Sequence, residues 1–234
     1  MVTQERIGGP LAARPLHFFW IADCSGSMAA QGKIQALNNA IREAIPHVRE
    51  VAKENPNGQI FMRALRFSDG AQWHVPNPMP VEQFTWPDLQ AGGVTDLGAA
   101  FALLAEALKM PPMPQRALPP VLALLSDGQP TDDYRGGLGQ LMAQPWAKKA
   151  VRIAIAIGED ADRDPLQEFI AHPEYHPLQA NNPEQLARLI RWVSAEVSKS
   201  ASAPASQILG KERSATNVLL PEPPLLDDAG IDVW

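Results

Sequence analysis

Apolar positions along this chain alternate between short continuous runs and longer stretches of helical period. The apolar runs His17–Ala22 and Val121–Leu125 predict strands buried on both sides, and Ile60–Phe67 and Val151–Ile157 read as further strands. Between them, Ile34, Leu37, Ile41, Ile45, Val48 and Ala52 mark one face of a helix over Lys33–Lys53. Pro46 lies inside it. Proline lacks the N–H for the helical bond and disfavours helix at Ile45, so a kink or break is expected there. Thr95–Leu108 reads as a helix with Leu97, Phe101, Leu104 and Leu108 inward, ended by the proline-rich segment Met110–Pro120. Tyr134–Met142 and Pro165–Ile170 are shorter helices. Pro183–Ser198 is amphipathic, with Leu186, Leu189, Ile190, Val193 and Val197 inward, Asn182 as cap and Pro183 in the first turn.

The remaining segments read as connections and edges. Asn55-Pro-Asn-Gly58 and Ser68-Asp69-Gly70 are turns, and Ala71–Val75 is an antiparallel edge strand paired back onto Ile60–Phe67. Val75–Gly93 is proline-rich and irregular, anchored by Phe84 and Trp86. Tyr175–Leu178 is the last edge strand. Strands alternating with helices predict an α/β fold: a doubly wound, mostly parallel central sheet with one antiparallel edge strand and helices on both faces. Ligands in such sheets bind beyond the carboxyl ends of the strands.

Composition narrows the class. The chain has 234 residues, 45% of them hydrophobic, which suits one α/β domain with appendages. Residues 1–14 read as a loose N-terminal arm, 15–200 as the domain, and 201–234 as a flexible linker followed by a docking tail. The linker is small and polar (SASAPASQ). The tail carries Ile208, Leu209, Val218, Leu219, Leu220, Leu225, Leu226, Ile231, Val233 and Trp234 spaced by prolines, too apolar for an idle disordered end. Asp227, Asp228 and Asp232 in it are candidates to reach a metal. A net charge of −6 argues against a general nucleic-acid binder. No apolar run reaches membrane-span length, and the first fifteen residues lack a secretory apolar region. With Cys24 as the single cysteine there is no internal disulfide, and a cytoplasmic location is expected.

Candidate chemistry concentrates after the first strand. Asp23-Cys24-Ser25-Gly26-Ser27 sets a carboxylate and two hydroxyls on alternate residues, which point the same way in an extended segment. Gly26 allows a sharp bend. Thr95 and Asp96 follow a glycine pair at a helix start, and Asp127 ends another buried run. Hard oxygen donors on three loops suit Mg²⁺, Mn²⁺ or Ca²⁺ rather than zinc.

Asp23-x-Ser25-x-Ser27, Thr95 and Asp127 together resemble the metal-ion-dependent adhesion site (MIDAS) of von Willebrand factor A (VWA) domains. The wording RFSDGAQWHVP, FTWPDLQAGGVTDLGAA, LLSDGQPTDDY and KKAVRIAIAIGEDADR is similar to the TerY-like branch, found with bacterial tellurium-resistance and stress-response systems. The resemblance covers roughly Pro15 to Ser200. It implies the Rossmann-like VWA fold and a divalent cation, Mg²⁺ foremost, held by Asp23, Ser25, Ser27, Thr95 and Asp127. In the family the serines and threonine contact the ion and the aspartates often act through water. It also implies protein partners, a kinase and a phosphatase among them.

Two function classes follow. The first is a metal-dependent protein-interaction module, in which a partner's Asp or Glu completes the ion's coordination and no bond is made or broken. The alternative is a metal-dependent phosphohydrolase. Such enzymes need an aspartate nucleophile and usually a second aspartate two residues on, and that position here is Ser25, a poor acid/base near neutral pH. Other enzyme signatures are missing. There is no Gly-x-Ser-x-Gly elbow, no phosphate-binding Walker loop and no zinc spacing among His17, His47, His74, His172 and His176. Cys24 should point away from the ion. Trp73, Trp86 and Trp146 read as packing residues. Asp96 reads as an orienting partner of the site; Asp132, Asp133, Asp160 and Asp162 are candidates for its rim, with solvated loop carboxylates as the default reading.

Overall fold

The structure, a computed structural model, describes residues 13–55, 58–202, 220–226 and 234. The N-terminal arm through residue 12, the centre of the Asn55–Gly58 turn, the linker from residue 203 on, and tail residues 207–219 and 227–233, Asp227, Asp228 and Asp232 among them, lie outside the described residues, while the first linker residues, Ala201 and Ser202, continue a helix.

Six strands form one sheet: β1 (Arg14–Asp23), β2 (Gly58–Ser68), β3 (Gly70–Pro80), β4 (Val121–Ser126), β5 (Val151–Ile157) and β6 (Leu178–Ala180). Their order is β3-β2-β1-β4-β5-β6, with β3 antiparallel to β2 and every other pairing parallel. The fold class expected from the pattern is therefore the one observed. Among the described residues the helices are α1 (Lys33–Glu54), α2 (Leu97–Ala107), α3 (Tyr134–Ala143), α4 (Pro145–Lys149), α5 (Arg163–Ile170), α6 (Pro183–Trp192) and α7 (Ser198–Ser202). A 3-10 turn, Gly26–Gly32, joins β1 to α1, and a π-helical turn, Val193–Val197, joins α6 to α7. No described helix is long and apolar enough to cross a membrane.

Alternation along β1 divides the core. Leu16, Phe18, Trp20 and Ala22 face a cluster with α1 and α6, whereas Phe19 and Ile21 face one with α2, α3 and α5. Because both faces are covered, β4 and β5 lack the polar alternation of a one-sided sheet, which is why they appear as unbroken apolar runs.

Several elements depart from expectation. α1 continues through Pro46 as one helix. Pro46 and the preceding-turn Arg42 are exposed, so water can take the carbonyl left without a donor, while buried Ile34, Leu37, Ile41, Ile45 and Val48 hold the helix to the sheet. β3 runs on to Pro80, through the segment expected to be irregular. It is an edge strand, where prolines are tolerated, and its register shifts opposite Met62 and Ala64. The last strand is Leu178–Ala180, not Tyr175–Leu178: Pro177 has no N–H, and the Tyr175 carbonyl accepts from Gln167 Nε2 instead. The final helix opens into a π turn where the Ser194 hydroxyl donates to the Ile190 carbonyl at 2.7 Å. Helix α4 was not expected.

The chain winds outward from β1 in one direction to β3, then crosses back to β4 and winds the other way. The order reverses between β1 and β4. At such a switch point the connections leave in opposite directions and open a crevice beyond the strand ends.

Candidate metal centre

That crevice is where the sequence places its oxygen donors. Asp23 is the last residue of β1 and Ser126 the last of β4. Ala22 pairs with Leu125, so Asp23 and Ser126 follow as neighbours. Ser126 Oγ donates to Asp23 Oδ2 at 2.5 Å and the Ser25 N–H donates to Oδ1 at 2.8 Å. Ser25 and Ser27 hydroxyls lie 3.0 Å apart. The proposed alternation of Asp23, Ser25 and Ser27 thus gives one connected group. Burial pushes the fully enclosed Asp23 carboxyl up to about 6; the hydrogen bonds from Ser126 and Ser25 oppose the rise, and nearby Asp127 adds to it.

Asp127 follows β4 directly and is 3% exposed. Its main-chain carbonyl accepts from the Asp162 N–H at 2.9 Å, which pins the loop. Neither carboxylate oxygen has a hydrogen-bond partner among the described residues. Burial raises its pKa, while nearby Ser27 and Lys33 oppose the rise. A buried carboxylate without donors is costly, and such groups are normally hydrogen-bonded, paired or bound to a cation.

The third loop is tied to the first by its backbone. The Gly92 N–H donates to the Cys24 carbonyl at 2.9 Å, and the Gly26 N–H to the Gly93 carbonyl at 3.0 Å. Gly26 serves this close approach, since a β-carbon there would stand 3.1 Å from the Gly93 oxygen. Gly93 has φ of 81° and packs on Asp69, whose Oδ1 accepts from the Val94 N–H at 3.0 Å. These contacts bring buried Thr95 beside the Asp23–Ser27 loop. The Thr95 N–H donates to Thr131 Oγ1 at 3.0 Å and its carbonyl accepts from the Thr131 N–H at 2.9 Å.

Asp96 links the supports. Its Oδ2 accepts from the Gly70 N–H at 2.7 Å and its Oδ1 from the Thr131 hydroxyl at 3.2 Å. It acts on Thr95 through Thr131, as an orienting partner would. Of the loop acids read as solvated, Asp133, Asp160 and Asp162 are exposed and Asp132 is half-buried, and each also accepts a hydrogen bond. Asp132 accepts from the Gly98 and Ala99 N–H groups and so caps α2 from another segment. Asp133 and Asp162 cap α3 and α5 from their own N-cap positions, and Asp160 pairs with Lys33. The N-terminal end of a helix leaves N–H groups that need acceptors, and these loops supply them. Ser126, Thr131 and Lys33 were missed as parts of the site. Only Ser126 left a local signal, as the residue before Asp127 at a strand end.

Cys24 points into the α1 side of the core, where its thiol donates to the Phe67 carbonyl at 3.2 Å and burial pushes its pKa up. Trp86 is buried with its N–H on Asn38 Oδ1, Trp146 is buried on the α2 side, and Trp73 stacks under the Arg63 guanidinium, 3.6 Å from the ring centre.

No family model and no curated protein matches the sequence. Solved structures do. A von Willebrand factor type A protein from Catenulispora acidiphila is 20% identical with a TM-score of 0.58, over 79% of this chain and 42% of that one. The ArnB paralog VWA2 from Sulfolobus acidocaldarius is 21% identical with a TM-score of 0.57, over 76% and 45%. Proximal thread matrix protein 1 of the mussel byssus, in a form with a zinc-occupied MIDAS motif, is 16% identical with a TM-score of 0.59, over 80% and 48%. The fold is that of a VWA domain. The chain spans less than half the length of these three neighbours, and at such identities the likeness concerns the fold alone.

The residues present fit a cation at the position where the VWA fold implies one. Among the described residues no group of three or more His, Cys, Asp and Glu converges. What converges is two carboxylates with serine hydroxyls, an oxygen-only set. The Asp127 oxygens, without a hydrogen bond and with the Lys33 ammonium no nearer than 4.0 Å, have room for a closer positive partner.

Proposed function

We propose that the chain is a metal-dependent protein-interaction module, with Asp23, Ser25, Ser27, Thr95 and Asp127 holding one divalent cation. The observation that carries this reading is the buried Asp127 carboxylate, which has no hydrogen-bond partner among the described residues and only Lys33 Nζ, 4.0 Å away, as a cationic neighbour, beside Asp23 and the paired serine hydroxyls. Two carboxylates offset the charge of one divalent ion, and all-oxygen donors favour Mg²⁺, with Mn²⁺ and Ca²⁺ as the other candidates. The bound ion would supply a positive centre for an Asp or Glu of a partner protein. The residues of the chain do the rest: they fix donors on three loops, hold Thr95 through Thr131 and Asp96, and exclude water from Asp23.

The reading is non-enzymatic. Ser25, where a phosphohydrolase would place its acid/base, is buried, and its oxygen faces the Ser27 hydroxyl rather than a second carboxylate. The wording of the loops supports a place in a bacterial stress-response or tellurium-resistance system, in the cytoplasm, with an associated kinase or phosphatase as partner and neither nucleic acid nor membrane as target.

Calorimetry with Mg²⁺ and Mn²⁺ on the wild type and Asp23→Asn tests the core of this reading. Asn keeps the shape and can keep the Ser25 and Ser126 contacts, so the variant should fold and lose metal binding. Partners captured from the native cell should be released by a chelator. Undiminished binding by Asp23→Asn would place the ion elsewhere, and partners indifferent to chelation would remove the metal from the contact.

A further inference from the structure

Lys33 is the first residue of α1, directly after the turn that carries Ser27, and its side chain is only 3% exposed. Lysine is almost never buried unless paired. Here the ammonium stands 3.1 Å from Asp160 Oδ1 and 4.0 Å from Asp127 Oδ2, between a surface carboxylate that is 72% exposed and a buried one that is 4% exposed. The position is unfavourable for a cation on helical grounds, because the first turn of a helix already carries the positive end of its dipole. The surroundings are shaped to hold it there. Gly158, φ 95°, leaves the space: a β-carbon at that position would lie 2.6 Å from Lys33 Nζ and 2.7 Å from Asp160 Oδ1. The Gly158 backbone is fixed in turn by its N–H on the Ala180 carbonyl and by its own carbonyl accepting from Gln179 Nε2.

We propose that Lys33 is a built-in counter-ion of the candidate cation site, shared between Asp127 and Asp160, and that this sharing sets how tightly the site holds a divalent ion. The inference rests on the metal reading given above. Among the proposed donors Lys33 reaches only Asp127, at 4.0 Å, and is a positioning residue. Its charge repels a cation held by Asp127, which weakens metal binding. Asp160 opposes this by drawing the ammonium outward, since 3.1 Å is a hydrogen bond and 4.0 Å is not. The site is thereby tuned to loose occupancy, so that a partner carboxylate adds a large share of what retains the ion.

Two substitutions of opposite sign test this. Lys33→Met keeps the length of the buried stem and removes the charge. It should tighten Mn²⁺ affinity by about tenfold or more, because a unit charge this close in a poorly solvated site is worth at least that factor. It should also lower the melting temperature in EDTA, with added Mn²⁺ recovering more of it than in the wild type. Asp160→Asn, at an exposed position that leaves the fold intact, frees the ammonium for Asp127 and should weaken Mn²⁺ binding several-fold. Calorimetry on the full chain reads both. A folded Lys33→Met with wild-type or weaker affinity overturns the proposal. If Lys33→Met fails to fold, unchanged or tighter affinity in Asp160→Asn overturns it. Failure of the wild type to bind Mn²⁺ or Mg²⁺ is a different result, which overturns the metal reading and this inference with it.

Discussion

His17 shows most simply how this core treats a titratable group. It lies on β1, is 7% exposed, stacks on Phe61 at 5.7 Å between ring centres, and its Nε2 has no partner among the described residues. Burial, then the neighbouring Arg63 charge, lowers its pKa to about 4. The folded-state value is below the unfolded one, so the native protein binds fewer protons and the contribution to stability is present above pH 6.5 and lost as pH falls toward 4. Between pH 7 and 4.5 the loss from this one residue should be about 2–3 kcal/mol. His17→Phe keeps a ring on Phe61 and cannot charge, so its stability should fall less over that range by about this amount. Urea unfolding of both proteins at the two pH values measures it, and parallel pH profiles would show that His17 does not titrate on unfolding. The lack of zinc spacing among the histidines was legible in the sequence, but the orphaned nitrogen of His17 could not be seen without its neighbours. The same holds for Lys33 and Asp132. Their chemistry depends on Asp160 and on the Gly98 and Ala99 amides, far along the chain, and nothing in the local wording marks either pairing.

Among the elements, α1 poses the clearest energetic question. An interior proline costs a helix about 3 kcal/mol, yet α1 runs through Pro46 for 22 residues. Its buried face compensates, and the exposed ring leaves the vacated carbonyl to water. Pro46→Ala should therefore raise stability by about 1–3 kcal/mol, the lower end reflecting the greater freedom the unfolded chain regains without proline. Chemical unfolding reads this directly, and an unchanged midpoint would mean that the helix accommodates Pro46 without cost. The helix is not broken at Pro46, because its tertiary face outweighs the local propensity. Elements with a strong pattern were legible: β5 has the bounds expected of it, since all but one of its residues are buried. Weakly patterned elements were not. β6 is only three residues long, α4 only five, and the far half of β3 is hidden by prolines that an edge strand tolerates. The donor loops were legible because oxygen-bearing residues, glycines and strand ends coincide in the sequence. Their bracing by Ser126 and Thr131 was not, because it is set by sheet order and loop packing.

At the scale of the whole molecule, the described part of the tail lies against the domain. Leu220, Leu226 and Trp234 pack on the core cluster shared by β1, α1 and α6, and the Trp234 N–H donates to the Asn181 carbonyl at 2.9 Å, just past the edge strand β6. Leu220–Pro223 line a cleft with Arg152, Ile153, Ile170 and Trp192. The contact covers the end of the sheet where β6 offers an open edge, a place that proteins commonly blunt with a covering segment. Neighbouring leucines separate docking from mere proximity. Leu226 packs on the core, while Leu225 is 92% exposed. Trp234→Ala and Leu226→Ala should each lower stability by about 1–2 kcal/mol, below the value for full burial because these side chains are only partly covered and their ordering costs entropy. Leu225→Ala should change nothing measurable. Deleting residues 204–234 keeps α7 and the Asn55–Ser202 hydrogen bond, so it tests the tail alone. It should lower the melting temperature by roughly 5 °C or more. Metal affinity is the second readout, because the site lies at β1 and β4 and the tail contact at β6. A tail that only covers the sheet edge leaves Mn²⁺ affinity unchanged on deletion. Equal melting temperatures for the full-length and shortened proteins, together with equal effects of the Leu225 and Leu226 substitutions, would show that the tail does not dock on its own domain in solution.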